Sequence, residues 1–109
     1  MPGLSREAQL QQEQLRRKYI DSLPAKRSRI EEHWKQVQSS DWSEAALAAL
    51  KADVHRLAGS AGSYGLYDLG EFAFKLESTL QRNEDTPGWR TLVSRLASEL
   101  LRMLVGPGT

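Results

Sequence analysis

The sequence predicts an all-α protein: an antiparallel up-down four-helix bundle with an additional N-terminal helix. Three observations carry this. Val, Ile and Thr are few, and no segment sustains the alternation of a strand. Ala, Leu, Glu, Gln, Lys and Arg dominate, residues that lose little side-chain freedom in a helix. Apolar residues recur at spacings of three and four in several segments joined by short turns, the pattern of a bundle.

A first helix is expected over about 5–22. Its apolar residues Ala8, Leu15, Tyr19 and Ile20 are sparse, so it should pack only at its C-terminal end. Leu23-Pro24 reads as a break, with Pro24 in the first turn of a second helix over about 24–39. That helix carries Ile30, Trp34 and Val37 on one stripe. A loop follows, in which Asp41 or Ser43 can serve as N-cap. The third helix, about 43–64, repeats Leu47, Leu50, Val54, Leu57, Ala61 and Tyr64 along a seam, and Gly65 is suited to stop it. The fourth, about 66–82, repeats Leu66, Leu69, Ala73, Leu76 and Leu80. Thr86 and Pro87 open the last helix, about 87–105, which should bury Trp89, Leu92, Val93, Leu96, Leu100 and Met103. Residues 1–105 thus form one domain, and Gly106-Pro107-Gly108-Thr109 has the composition of a tail or of a linker's start.

At 109 residues and net charge +1, with both signs interspersed, the chain has no basic stripe for nucleic acid. It has no cysteine, which excludes disulfides, thiolate metal sites and cysteine nucleophiles. No apolar run is long enough to span a membrane, and the polar N-terminus does not resemble a secretory signal. A monomeric cytoplasmic protein is expected. There is no phosphate-binding glycine loop and no nucleotide-binding fingerprint, so no ATP site and no cofactor of its own is expected.

The chemistry is concentrated in Val54-His55-Arg56-Leu57-Ala58-Gly59-Ser60-Ala61-Gly62-Ser63-Tyr64-Gly65. Two glycines inside a helix of good formers each cost roughly 1 kcal/mol relative to alanine. His55 lies beside the seam residue Val54. Gly59 and Gly62 follow on the face that carries His55 and strip bulk from around the imidazole. The expected result is a histidine on an open patch, accessible to another protein's active site. An imidazole with one nitrogen held as a donor presents the other as a nucleophile. In a hairpin turning near residues 64–66, His55 lies level with Lys75 to Glu77. Glu77 is the candidate acceptor for Nδ1–H, leaving Nε2 free, and Lys75 is placed to reach the same patch.

This run resembles the signature of histidine phosphotransfer (Hpt) domains: His-x-Leu-Lys-Gly-Ser/Ala-Ala/Ser, a further glycine, then an apolar helix ending in Leu-Glu or Leu-Gln. The chain matches at His55, Leu57, Gly59, Ser60, Ala61, Gly62, Gly65, Leu69, Leu76 and Glu77. The resemblance spans about residues 15–104, with the specific motifs in 53–77. It implies phosphorylation of His55 on Nε2 and an imidazole oriented by Glu77. The implied partners are the receiver domain of a response regulator, a hybrid sensor histidine kinase, or both. Mg²⁺ is expected only in the partner receiver domain. One position departs from the pattern: Ala58 stands where the family often keeps a lysine that steadies phosphoryl oxygens. Lys51, one turn before His55, and Arg56 are the nearest replacements.

Against this stand blander readings. Lys51, Arg56 and Lys75 are also what a solvated helix face looks like, and Gly59 could serve close helix packing. His33 reads as an exposed histidine. A metal-binding bundle fits poorly with seams filled by Leu, Val and aromatics. The alternative function is a degenerate, non-phosphorylated interaction bundle that binds a receiver or kinase, and Ala58 is its support.

Overall fold

The computed structural model describes residues 5–105. It contains four α-helices: α1 (Arg6–Ser39), α2 (Glu44–Ser60), α3 (Tyr67–Arg82) and α4 (Pro87–Met103), with a 3₁₀ turn at Ala61–Tyr64. No strand occurs among the described residues. The helices contact one another in the ring α1–α2–α3–α4–α1. The core inside that ring is built from the predicted stripes: Ile30, Val37, Leu50, Val54, Leu57, Leu76, Val93 and Leu100 are fully enclosed. Leu47, Tyr64, Leu66, Leu92 and Met103, also expected in the seams, pack at its edge and are partly buried.

The expected break at Pro24 is absent. The segments 5–22 and 24–39 form the single helix α1, so the additional N-terminal helix is the first half of that element. Proline removes one intrahelical donor and clashes with the preceding turn, at a cost of about 3 kcal/mol or more. Packing on both sides of the proline offsets that cost. Before it, Tyr19 is buried, stacks on Tyr64 with ring centroids 4.4 Å apart, and hydrogen-bonds Ser60 Oγ at 2.7 Å. After it, Ile30, Trp34 and Val37 enter the core. Local polar bonds bridge the turn: Ser22 Oγ donates to the Tyr19 carbonyl, and Lys26 Nζ donates to Ser22 Oγ. The part of α1 before Tyr19 is almost wholly exposed, in keeping with its sparse apolar residues.

The second correction concerns the helix expected over 43–64. Ser43 caps it, its hydroxyl accepting from the Ala46 amide, but the α-helix ends at Ser60 and tightens into the 3₁₀ turn. Gly65 then takes the left-handed conformation (φ 84°), and Leu66 N–H closes back onto the Ala61 carbonyl at 3.0 Å. At the other end of the bundle, Trp42 meets Trp34 edge-on and lies tilted against Trp89. The Arg90 guanidinium lies over the Trp42 ring, and Trp89 Nε1 donates to the Thr79 carbonyl at 2.8 Å. The expected tail or linker, 106–109, lies outside the described residues.

Candidate functional site

Val54 and Leu57 bury one face of α2 completely, which turns His55 outward at the edge shared with α3. Its side chain is 71 % exposed, whereas that of Glu77 is 10 % exposed. The register of α3 is set by Ala73, Leu76 and Leu80 in the core, and this brings Glu77 up to the imidazole. His55 Nδ1 donates to Glu77 Oε2 at 2.5 Å. A carboxylate held in the protein wall is a fixed acceptor for one nitrogen of an exposed imidazole, an arrangement that favours the Nδ1–H tautomer.

A Cβ at Gly59 or at Gly62 would meet nothing within 4 Å. Neither is therefore required for helix packing. That role falls to Gly70, which the motif reading did not single out: a Cβ there would lie 3.2 Å from the Gly62 amide nitrogen. Its signal in the sequence was a lone glycine inside an otherwise amphipathic helix.

The cations divide. Lys51 is half-buried one turn before His55, and Lys75 is exposed on α3. Among the described residues, neither makes a hydrogen bond or ion pair to another side chain. Arg56 is engaged elsewhere, its Nη2 donating to Asp53 Oδ1 at 2.5 Å. Ala58 is partly buried against the core and contributes no polar group. Exposed aromatics border the patch: Phe74, one turn before Glu77, is 62 % exposed, and Tyr67 lies two turns further back on the same face. Phe72 turns inward.

His33 differs from the expected exposed residue. It is partly buried, and its Nδ1 hydrogen-bonds Asp53 Oδ2. Asp53 is a buried carboxylate on α2 that the motif reading passed over. Among the described residues, no three His, Asp or Glu side chains converge as a metal site, and no helix is long and apolar enough to cross a membrane.

No curated protein and no solved structure matches the chain. A family model does, that of the Hpt domain, over residues 14–105. With nearly its whole length covered, the chain belongs to the Hpt domain family, whose members are phosphocarrier modules of two-component signalling that work with receiver domains and kinases.

Proposed function

We propose that the protein relays a phosphoryl group between receiver-domain aspartates, or from a kinase to a response regulator, through Nε2 of His55. The observation that carries this reading is the His55–Glu77 hydrogen bond on a cleared, exposed face. Nε2 attacks the phosphorus of a partner's aspartyl phosphate. The N–P bond forms as the P–O bond breaks, and the partner's carboxylate leaves with the electron pair. The positive charge that develops on the imidazole is offset by the Glu77 carboxylate. Return transfer runs the same steps backwards.

The partner supplies the aspartate, the Mg²⁺ and most of the charge stabilisation at phosphorus. This chain supplies a positioned nucleophile, room for the partner's loops above Gly59 and Gly62, and the aromatic edge of Phe74 for docking. Lys51 and Lys75 take the place of the lysine missing at Ala58. An antiparallel up-down order of the helices fits the site: His55 of α2 meets Glu77 of α3, while Gly62 of the following 3₁₀ turn meets Gly70, so the contacts run in opposite senses along the two segments. We assign the protein to the cytoplasm as a monomer, where receiver domains and kinase cores operate.

The test is phosphotransfer from a phosphorylated receiver domain to the wild type and to His55→Gln. Transfer to the wild type alone is expected, and transfer that survives the substitution overturns the assignment. Ala58 favours one other reading, a degenerate bundle that binds a receiver without accepting phosphate. Receiver binding without any label on His55 identifies that case.

A further inference from the structure

The arrangement around His55 occurs a second time in the molecule, between α1 and α2. His33 donates from Nδ1 to Asp53, as His55 donates from Nδ1 to Glu77. The carboxylate stands 20 residues after His33 and 22 after His55, each on the following helix. Both acceptors are withdrawn into the protein: the Asp53 side chain is 3 % exposed. Asp53 is further fixed by Arg56, whose guanidinium takes its other oxygen. One turn before each histidine, on the same helix face, stands a cation that has no hydrogen bond or ion pair to another side chain among the described residues: Lys51 before His55 and Arg29 before His33.

An orienting carboxylate, a free Nε2 and an uncommitted cation are the elements that make an imidazole a phosphoryl acceptor. We infer that His33 is a second phosphoryl-accepting histidine, loaded on Nε2 by a small-molecule phosphodonor of the phosphoramidate or acyl phosphate class. The His33 side chain is 27 % exposed, against 71 % for His55. That difference selects the donor, because a partly recessed ring admits a small molecule where a whole receiver domain needs the open face of His55. A cavity of about 290 Å³ borders the pair on the Asp53 side, where Lys26, Arg29, Arg56 and Asp53 line it and His33 does not. Within it Arg56 is paired with Asp53 and Lys26 with Ser22, so Arg29 is the cation placed to meet an anionic donor. Guanidinium groups are matched in shape to phosphoryl oxygens.

With phosphoramidate as donor, Nε2 of His33 attacks phosphorus. The new N–P bond forms while the donor's P–N bond breaks, and the donor's ammonium group leaves as ammonia with the electron pair. The positive charge passes to the imidazole, where Asp53 offsets it. His33 needs no phosphate on His55 for this step, so the two sites load independently.

The experiment treats the full chain with phosphoramidate and follows intact mass at alkaline pH, where phosphohistidine survives. Wild type is expected to take up two phosphoryl groups, His55→Gln and His33→Gln one each, and the double variant none. In the His55→Gln background, Asp53→Asn and Arg29→Ala should each slow loading by about fivefold or more. Arg29→Ala leaves the buried Asp53 clamp intact, so its effect does not depend on Asp53→Asn folding. The inference is overturned if His55→Gln takes up no phosphoryl group. It is equally overturned if His33 loads no faster than in the urea-unfolded chain, the behaviour of any reactive imidazole. Loading of His33 without His55 would instead count against the reading of His55.

Discussion

Gly70 of α3 approaches Gly62 of the 3₁₀ turn so closely that a Cβ on Gly70 would sit 3.2 Å from the Gly62 amide nitrogen. The neighbour is backbone, held by the turn that Gly65 and Leu66 close, so it has little room to yield. Gly70→Ala gains roughly 1 kcal/mol of helix propensity but pushes α3 off the turn at a cost of about 1–3 kcal/mol. Net destabilisation is expected, read as a lower urea midpoint. A midpoint at or above the wild-type value would refute the close-approach role.

Gly59 gives the opposite contrast. With open space where its Cβ would lie, Gly59→Ala should raise stability by about 0.5–1 kcal/mol in the same urea titration. Gly59→Leu should leave the fold intact, yet slow phosphotransfer from a receiver by at least about tenfold, because bulk beside His55 displaces the partner's reacting atoms. Unchanged transfer kinetics in Gly59→Leu would show that the cleared face is not the docking face.

Removing the acceptor at residue 77 tests orientation directly. Glu77→Ala should slow phosphotransfer about 10–100-fold, the usual effect of losing a group that orients a reactive imidazole. Glu77→Gln keeps an acceptor carbonyl but loses the negative charge that offsets the developing imidazolium, so it should fall between Ala and wild type. Nitrogen-15 NMR of the imidazole supplies a readout apart from rate. Wild type should hold the proton on Nδ1, and Glu77→Ala should shift the ring toward the opposite tautomer.

Pro24 lies inside α1 without ending it. Pro24→Ala restores a donor for the Ile20 carbonyl and removes the clash with the preceding turn, while loosening the unfolded chain. A net gain of about 1–2 kcal/mol is expected. Thermal unfolding followed by circular dichroism checks it, and a fall in Tm would mean that the proline shapes the helix in a way the core requires.

Much of this protein was legible in its residues alone. The stripes of Leu, Val and Ala mark α2, α3 and α4, because period and burial are linked on any amphipathic helix. Ser43 and Thr86 cap their helices by purely local bonds. The contact of His55 with Glu77 was visible because a spacing of 22 residues puts them level in a helical hairpin.

What the tertiary structure decided is of another kind. Pro24 reads as a break by local rules, and only the burial of Tyr19 against Tyr64 and Ser60 holds the helix together across it. Gly62 continues a helix by periodicity, yet the turn tightens where Gly70 closes on it. The pairing of His33 with Asp53 joins two helices whose relative rotation no single segment encodes. A sequence carries the preferences of each helix, but which side chains meet depends on how the faces of four helices are rotated together in one core.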